Sequence, residues 1–461
     1  MENQKINFRK LVQLQHNYFN GNITKSVDFR IAQLKKILAV LKANESVLDE
    51  AIYKDFRKSS FENYATELSL VYHEINLAVK NLKVWAKRQR VNTDWANTPG
   101  KSYIIAEPLG TTLVIGAWNY PYQLSLSPMV AAIAAGNTVI VKPSEISLNS
   151  SHAMAKIIND NFEPQYLHVV EGGVEETTDL LKQKFDKIFY TGSTSVGKII
   201  MKAAAANLCP VVLELGGKSP CIVLKDASMK IAAKRIVWAK FLNGGQTCVA
   251  PDYILLEKGA KPKFVAELKK QIVAVVGEHP EDSESFVRII NPRHFQRLVN
   301  LIDKEKVIIG GNYLKDDLYI APTVMDRLSF DDKVMQEEIF GPILPIIEFD
   351  SLDWTISQIK SRPKPLALYI FGKNKKSINR ILFEVSFGGG AVNDAVMHLS
   401  NSNLPFGGVG NSGMGNYHGK YGFDTFSHFK SILDKSTLLE PTIKYAPYLN
   451  WKRKLLQKIV E

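Results

Sequence analysis

The chain has 461 residues, of which 45% are hydrophobic and 23% charged, and its formal net charge is +12. These values exclude a disordered chain and are typical of a globular protein of two or three domains. Three cysteines are too few for a disulfide framework or a structural zinc site. We therefore expect no metal and a reducing, cytoplasmic environment.

The composition also restricts the partners. The basic excess is diffuse, and no basic stripe alternates with aromatic residues, so we expect no nucleic-acid partner. No apolar run approaches the roughly 20 residues that cross a bilayer. The first ten residues, MENQKINFRK, contain no apolar core, so we expect no secretory signal there.

Residues 26–90 are predicted to be helical. Apolar residues fall there twice at the i, i+3, i+4, i+7 spacing of one helix face: Leu34, Ile37, Leu38 and Leu41, then Leu68, Val71, Tyr72 and Ile75. The segment KANES at 42–46 predicts a break between two helices. Near residue 91 the periodicity ends, and a turn-rich segment leads to a short predicted strand at 102–106.

From residue 112, apolar β-branched runs alternate with helical segments. The predicted strands are TLVIGA (112–117), TVIVK (138–142), YLHVV (166–170), KIFY (187–190) and VVLEL (211–215). Gly136 closes one helical segment as a C′ glycine. This alternation predicts a parallel sheet covered on both faces, whose ligands bind at the carboxyl ends of the strands. The segments that follow those ends are WNYP, KPSE, TGSTSVG and ELGGKSP.

A second α/β stretch follows from about 220 to 400, with DYILLE, VIIGG and LALYIFG as predicted strands. Near the C-terminus, an amphipathic tail combines Lys452-Arg453-Lys454 with Trp451, Leu455, Leu456 and Ile459. We expect this tail to pack on the chain's own body or on a subunit partner. Peripheral membrane contact is the alternative.

Two glycine motifs are ambiguous. GVGNSG at 408–413 matches GxGxxG but lacks the preceding strand and following helix of a dinucleotide site, which favours a substrate-side loop. GSTSVGK at 192–198 nearly matches a P-loop, but Ile199 stands where a hydroxyl would bind magnesium. The second motif therefore predicts an anion-binding turn at a helix start, with nucleotide hydrolysis as an alternative.

The segment FLNGGQTCVAP (241–251) places Cys248 in a polar, Gly-rich stretch. Cys248 is either a nucleophile or an inert buried thiol, and the stretch alone supports both interpretations. A free thiol with a pKa of about 8.5 is only a few per cent ionised at pH 7. We expect the turn at Gly244-Gly245 to lower the pKa through unpaired backbone N–H groups, and to let the backbone approach a substrate.

Seven segments, in this order, resemble the aldehyde dehydrogenase superfamily: GAWNYP, VKPSE, FYTGSTSVGK, LELGGKSP, NGGQTC, EEIFGPILP and LPFGGVGNSGMG. The short N-terminus and the stretch LPFGGVGNSGMGNYHGKYGFDTFSHFKSIL are most similar to the class 3 branch, which includes the fatty and aromatic aldehyde dehydrogenases. The resemblance implies an α/β fold with a Rossmann-like open parallel sheet as cofactor domain, a second α/β catalytic domain and a small β bridging arm. The implied boundaries are 1–90 and 110–213 for the NAD(P)-binding domain, 214–400 for the catalytic domain, 91–109 and about 420–445 for the arm, and 446–461 for the tail.

The resemblance also implies catalytic roles. Cys248 is the expected nucleophile, and Asn119 with the Cys248 backbone N–H is expected to stabilise the oxyanion. A thioester on Cys248 must then be hydrolysed. Glu214 is the candidate base, because burial at a strand end raises the pKa of a carboxylate. Glu338 is the other candidate, and the sequence does not rank the two.

The implied cofactor is NAD, with NADP possible. The residues that match the family's cofactor contacts are Trp118, Lys142, Ser144, Glu145, Gly192, Ser193, Val196, Glu338 and Phe340. A carboxylate at Glu145 accepts a hydrogen bond from a ribose 2′-hydroxyl but repels a 2′-phosphate, which favours NAD.

Tyr120, Leu242 and Phe406 match positions of the substrate channel and favour uncharged, hydrophobic aldehydes. The resemblance further implies a homodimer in which residues near 90–109 pair with a segment near 420–440. Two alternatives remain beside oxidation to a carboxylic acid. One is an acylating, coenzyme A-dependent enzyme, which Glu214 disfavours, and the other is a non-enzymatic descendant of the same fold.

Overall fold

A computed structural model describes residues 7–460, with side chains to Lys458. The side chain of Ile459 therefore lies outside the described residues, as do residues 1–6 of the MENQKINFRK segment. Within residues 7–460 the α-helices are α1 (Phe8–Asn20), α2 (Val27–Ala43), α3 (Glu45–Phe56), α4 (Ser60–Asn63), α5 (Ser69–Trp85), α6 (Gln123–Ala135), α7 (Leu148–Asn159), α8 (Val174–Leu181), α9 (Thr194–Ala205), α10 (Met229–Phe241), α11 (Lys261–Val276), α12 (Pro292–Val299), α13 (Leu352–Lys360), α14 (Lys375–Glu384), α15 (Gly419–Thr425) and α16 (Asn450–Val460).

The strands of the same range form four sheets. They are β1 (Gln89–Val91), β2 (Gly100–Pro108), β3 (Thr111–Ile115), β4 (Thr138–Lys142), β5 (Leu167–Val169), β6 (Lys187–Thr191), β7 (Val211–Glu214), β8 (Pro220–Val223), β9 (Tyr253–Glu257), β10 (Val307–Ile309), β11 (Tyr313–Leu314), β12 (Tyr319–Ile320), β13 (Thr323–Met325), β14 (Ile343–Phe349), β15 (Ala367–Phe371), β16 (Gly389–Val392), β17 (Gly413–Met414) and β18 (Ser427–Lys435).

The first large sheet has the order β17-β7-β6-β3-β4-β5, and only its edge strand β17 is antiparallel. Its strands alternate between two cores. Val114 joins the core formed with the N-terminal helices, while its neighbours Leu113 and Ile115 join a second core on the opposite face. The predicted parallel sheet with two covered faces is confirmed, and the five predicted strands correspond to β3–β7.

Helix α6 explains how β3 and β4 become neighbours. All its residues are buried, and it ends at Gly136, whose φ of 102° lies in the left-handed region that favours glycine. Helices α2 and α5 pack on α6, and the predicted apolar faces between Leu34 and Ile75 are buried or nearly so. The break predicted at KANES falls between Ala43 and Glu45.

The second large sheet has the order β10-β13-β14-β9-β8-β15-β16, and β10 alone is antiparallel to its neighbour. One of its faces continues the core of the first sheet through Cys221 and Ile254, and the other packs into a core of its own around Ile222 and Leu255. Helix α10 and the segment that carries Cys248 connect β8 to β9.

A smaller antiparallel sheet has the order β1-β2-β18. Strands β2 and β18 pair along nine residues, from Ser427 opposite Pro108 to Lys435 opposite Gly100. Within this chain, the structure thus pairs the two segments near 90–109 and 420–440 that the resemblance implied, and their role in a subunit arm stays a prediction. A two-stranded sheet of β11 and β12 completes the set.

The C-terminal tail forms α16, but its apolar side chains are not covered by the chain's own body. Trp451, Leu455 and Leu456 are each exposed over 42–54% of their surface. Of the three basic residues, Lys452 is buried, and its Nζ donates to the carbonyls of Thr442 and Tyr445. The chain's own body therefore buries Lys452 but leaves these apolar side chains about half-exposed, and their packing on a subunit partner stays a prediction. Among residues 7–460, no helix combines the length and apolar character needed to cross a membrane.

Candidate active site

The predicted site residues lie where neighbouring parallel strands end. Trp118 and Asn119 follow β3, Lys142 ends β4, Gly192 follows β6, and Glu214 ends β7. Because these strands run parallel in one sheet, their carboxyl ends share one edge. The fold thus gathers residues that are up to 96 positions apart along the chain.

The loop before Cys248 has an unusual backbone. Asn243, Gly244 and Gly245 have φ values of 53°, 60° and 73°, all in the left-handed region. A Cβ at Gly245 would lie 2.3 Å from the carbonyl oxygen of Gly341. Both glycines therefore serve the turn, and Gly245 also allows the close packing of this loop against the segment that carries Phe340. The substrate approach that the sequence suggested for them stays a prediction.

Gln246 locks the same loop from inside. Its Nε2 donates to the carbonyls of Asn243 and Arg288, and its Oε1 accepts the Ile290 N–H. The side chain is fully buried, so these bonds satisfy a group that would otherwise be costly to bury.

Cys248 as a residue is half-buried, but its thiol is surrounded by protein atoms. Burial raises the pKa of its thiol to about 12, and the carboxylates of Glu338 and Glu214 act in the same direction. The backbone N–H groups that oppose this rise are those of Cys248 and Val249 rather than those of the expected Gly244-Gly245 turn, and burial outweighs them. The expected lowering of the pKa is therefore wrong for the free enzyme. Cys209 and Cys221 are buried packing residues with raised thiol pKa values.

This pKa predicts how the free thiol reacts. Only the thiolate is alkylated, so the alkylation rate of Cys248 by iodoacetamide should climb steadily from pH 7 to pH 10, by up to about tenfold per pH unit. A C209A/C221A variant restricts the reaction to Cys248. A plateau below pH 9 would show that the thiol ionises far more easily than its surroundings allow.

Asn119 is tied to the cysteine loop. Its Nδ2 donates to the Gln246 carbonyl at 3.0 Å, and its own carbonyl accepts from Asn243 Nδ2 at 2.8 Å. One amide hydrogen is thereby fixed, which sets the direction of the second. The side chain is 3% exposed, so a hydrogen bond from that second hydrogen acts in a low-dielectric environment.

Glu214 lies between β6 and the edge strand β17, opposite Gly413. Its carboxyl group is buried, and neither oxygen has a hydrogen-bond partner among the residues of the described chain. Burial raises the pKa of this carboxyl well above its usual range. A buried carboxyl without a structural partner is free to exchange a proton, and Glu214 is close enough to Cys248 to raise the thiol's pKa.

Glu338 is the second buried carboxyl group close enough to Cys248 to raise the pKa of its thiol. Burial and the nearby Asp252 raise its pKa to about 8, although the Gly217 N–H, Lys218 and Lys240 lower it. Lys240 is itself buried without a hydrogen-bond partner among the described residues, and burial lowers its pKa to about 8. Both candidate bases thus border Cys248, and the geometry does not rank them.

The proposed cofactor residues form a cradle along the strand ends. Ser193 caps α9 by accepting the Val196 N–H, so the free N–H groups of the first turn are available for an anion. A Cβ at Gly192, whose φ is 159°, would lie 2.2 Å from the Tyr190 hydroxyl. Only glycine therefore keeps this turn close to the sheet edge.

The rest of the cradle follows β4. Lys142 is buried, with its Nζ bonded to the Pro143 carbonyl and 3.8 Å from the half-exposed carboxylate of Glu145. Ser144 Oγ accepts the Ile146 N–H. Trp118 meets Phe340 edge to face at 5.3 Å. This set of a glycine turn, helix N–H groups, lysine and carboxylate fits a dinucleotide.

Comparisons with known proteins agree with this geometry. The model of the aldehyde dehydrogenase family matches residues 6–432. The chain belongs to the aldehyde dehydrogenase family. It is therefore an oxidoreductase that uses NAD(P), and its match to the family's fold removes any basis for a P-loop nucleotide hydrolase.

Individual relatives are similar along most of this aldehyde dehydrogenase. The 4,4'-diaponeurosporen-aldehyde dehydrogenase of Staphylococcus aureus is 48% identical over 94% of this chain and 94% of that protein. The dimeric NADP-preferring aldehyde dehydrogenase of Mus musculus is 47% identical over 93% of this chain and 95% of its own. A solved structure titled as the substrate-bound state of Staphylococcus aureus AldH superimposes with a TM-score of 0.97, at 46% identity, and covers 99% of this chain and all of the other.

The three residues predicted for the substrate channel of this dehydrogenase occupy different environments. The Tyr120 hydroxyl bonds Thr247 Oγ1 at 2.6 Å, next to Cys248. Leu242 is half-buried at the start of the cysteine loop. Phe406 is buried and stacks on His418 at 5.1 Å. All three side chains are aromatic or aliphatic, and none carries a positive charge.

Sequence reasoning missed several residues around this site. Gln246 lies within the segment 241–251 that the sequence singled out, and Lys240 lies just before it, but their types gave no reason to assign them a position in the interior. Lys58 lies between α3 and α4, Glu62 lies in α4, and Glu67 lies in the helical turn Tyr64–Leu68. No motif connected these residues with Asn119. Nothing in the sequence shows that these charged residues are buried. Once the structure places them in the interior, their burial points to a role, because buried charges are uncommon unless they are paired.

Proposed function

We propose that this enzyme oxidises hydrophobic aldehydes to carboxylic acids through a thioester on Cys248. The convergence of three groups carries the proposal. Cys248, the Asn119 amide and the unbonded carboxyl of Glu214 meet at one sheet edge, each with a different chemical capacity.

The first step forms a carbon–sulfur bond. The Cys248 thiolate attacks the carbonyl carbon, and the π electrons of the carbonyl move to its oxygen. The second Nδ2 hydrogen of Asn119 and the Cys248 backbone N–H donate to this oxyanion. The electrons on the oxyanion then re-form the carbonyl as the carbon loses a hydride, which leaves a thioester on Cys248. A bound NAD(P) would supply the hydride acceptor.

The second step breaks the carbon–sulfur bond. Glu214, or Glu338 in the competing assignment, accepts a proton from water as the water oxygen attacks the thioester carbon. The carboxylic acid leaves and the Cys248 thiolate is restored. A raised carboxyl pKa favours this role, because a base must hold the proton that it accepts.

Product analysis tests the proposed reaction. The purified protein, given octanal or benzaldehyde with NAD, should yield one carboxylic acid per NADH whether or not coenzyme A is present. Formation of acyl-coenzyme A without acid would favour the acylating alternative. Lack of NADH with folded protein and either aldehyde would favour a non-enzymatic descendant.

The substrate class rests on Tyr120, Leu242 and Phe406, which offer apolar surface and no cationic group to hold a second carboxylate. The Staphylococcus aureus relative is named a 4,4'-diaponeurosporen-aldehyde dehydrogenase, in keeping with this preference. A panel of aldehydes of graded chain length, crossed with NAD and NADP, is the matching measurement.

Glu145 is proposed to set the cofactor preference. Replacing it by glutamine keeps a hydrogen-bond acceptor for the ribose 2′-hydroxyl but removes a negative charge next to any 2′-phosphate. We expect E145Q to lower the KM for NADP by about tenfold, with a change of less than about threefold for NAD. Glu171, an acidic residue that also influences Lys142, supplies the control variant E171Q. Equal changes for both cofactors would contradict this role.

The organisation of the chain is also part of the proposal. The six-stranded sheet and the N-terminal helices are assigned to cofactor binding, the seven-stranded sheet to catalysis, and the β1-β2-β18 sheet to a subunit arm, with the boundaries given above. A homodimer is proposed, because one relative is named dimeric and a second subunit would bury the exposed apolar side chains of α16. Three free cysteines favour a reducing compartment such as the cytoplasm.

A further inference from the structure

A fully buried ion pair lies behind the active site. Lys58 Nζ and Glu67 Oε1 are 2.7 Å apart, and neither side chain has any exposed surface. Lys58 follows α3, whereas Glu67 lies in a π-helical turn, Tyr64–Leu68, that interrupts the helix between α4 and α5. Such turns are rare in proteins overall, and those that occur are often found at functional sites.

The second oxygen of Glu67 reaches the segment that carries Asn119. Glu67 Oε2 accepts the Tyr122 N–H at 2.8 Å and the Gln123 N–H at 3.3 Å, at the start of α6. These N–H groups have no partner within their own helix, so the carboxylate supplies one. A negative charge here is also favoured by the helix dipole.

Lys58 contacts the same segment from a second direction. Its Nζ lies 4.5 Å from the ring centre of Tyr120, the residue after Asn119. The Tyr120 hydroxyl in turn bonds Thr247, the residue before Cys248. The ion pair therefore contacts residues 120, 122 and 123 and fixes the segment just beyond Asn119.

The same helical region also holds the cysteine loop. Glu62 Oε1 accepts the Asn243 N–H at 2.8 Å, and Asn243 Nδ2 donates to the Asn119 carbonyl. The two loops that meet at the oxyanion are thus fixed from one region of the protein, by carboxylates two helical turns or less apart.

Stability alone is a weak reason for such a pair. Transferring two charges into the interior costs about as much as their attraction returns, and apolar residues of similar size often stabilise as well or better. A bidentate carboxylate that fixes both Lys58 and the Tyr122 N–H instead provides a defined geometry. A misplacement of about 1 Å at a reacting group can cost about 100-fold in rate.

We propose that Lys58 and Glu67 are positioning residues, which hold the segment 119–123 so that the Asn119 amide meets the oxyanion. The inference rests on the oxyanion role proposed for Asn119. It assigns a role in the acylation step to a lysine and a glutamate that do not touch the substrate.

A double-mutant cycle tests the inference, with the rate of the first NADH burst from benzaldehyde as readout. K58M/E67L removes both charges and the acceptor for the Tyr122 N–H, whereas K58M/E67Q removes the charges but keeps an acceptor. We expect the burst to slow about 30- to 100-fold in K58M/E67L and less than about fivefold in K58M/E67Q. A merely structural role would not separate these two variants.

The cycle is closed with Asn119→Ala, which alone should slow the burst about 100-fold. In the N119A background, K58M/E67L should slow it by less than about threefold further, because the donor that it positions is gone. Full additivity of the two effects would overturn the inference. A burst unchanged in N119A would instead overturn the proposed oxyanion role.

Two further variants control for folding. Asn63 is buried on α4 and bonds Asp49 at 2.7 Å, and among the described residues it makes no hydrogen bond to the segment 119–123. N63A should therefore leave the burst within about twofold of wild type. E67D keeps the charge but shortens its reach, and should slow the burst about tenfold, with the effect again lost in N119A. E67D decides the question if K58M/E67L does not fold.

Discussion

Replacing Cys248 by alanine is expected to lower the rate of acid formation by at least about 10⁴-fold, while NAD binding stays within about twofold of wild type. The sulfur is the only group proposed to bond the aldehyde carbon, and no other residue at the sheet edge is a comparable nucleophile. The proposed cofactor residues Lys142, Gly192 and Ser193 lie at the ends of β4 and β6, so we expect NAD binding not to depend on the thiol. NADH production and the quenching of tryptophan fluorescence by NAD measure the two quantities.

The C209A/C221A variant is the matched control. It removes the other two thiols, neither of which has a partner in the proposed chemistry, and should keep wild-type turnover within about threefold. More than about 1% of wild-type activity in C248A would contradict the covalent mechanism. Loss of NAD binding in C248A would instead indicate a collapsed site.

Replacing Glu214 by glutamine is expected to slow thioester hydrolysis by about 10³-fold, with less than about tenfold effect on acylation. Glutamine keeps the shape of the side chain but cannot accept the proton of the attacking water. The enzyme should therefore release a burst of NADH close to one equivalent per active site and then nearly stop. Rapid mixing followed by mass measurement of the acylated protein separates the two steps.

E338Q is the comparison that ranks the two bases. Glu338 borders the same thiol but has backbone and lysine contacts that Glu214 lacks. If E338Q accumulates thioester and E214Q does not, Glu338 is the base and the assignment of Glu214 is wrong. Equal slowing of acylation and hydrolysis in E214Q would also exclude a specific role in activating water.

The same assignment has a pH dependence of defined sign. A carboxyl whose pKa is raised stays protonated over a wider acidic range and acts as a base only once it loses that proton. Thioester hydrolysis in the wild type should therefore accelerate as pH rises above the usual carboxyl range, and E214Q should lose most of this rise. The alkylation of Cys248 should keep its own pH profile in E214Q, which separates the base from the thiol.

Local patterns in the sequence were sufficient for much of the fold. Strands β3–β7 are continuous apolar runs because both of their faces are buried, and helix faces such as Leu34 to Leu41 follow a single period. The edge strand β17 was not predicted. It has two residues and is held by pairing with Leu213 and Glu214 rather than by its own composition.

The site was predictable where a motif carried the information, and not where contacts across the chain decide the outcome. Cys248, Asn119 and Glu214 follow from segments that resemble a known family. The pKa of Cys248 does not, because it depends on how much surrounding atoms bury the thiol and on Glu338, 90 residues further along. The role proposed for the ion pair of Lys58 and Glu67 was likewise not predictable, because it depends on contacts with residues at the start of α6 that only the folded chain brings together.

The left-handed run from Asn243 to Gly245 has a consequence for altering substrate range in the laboratory. A side chain at Gly244 or Gly245 would incur backbone strain, and at Gly245 also a collision with Gly341. Most variants in a library that randomises Gly244 and Gly245 should therefore not form the native loop, however well their side chains would fit a new aldehyde. Leu242, half-buried with a φ of −52°, is the position at which diversity costs least.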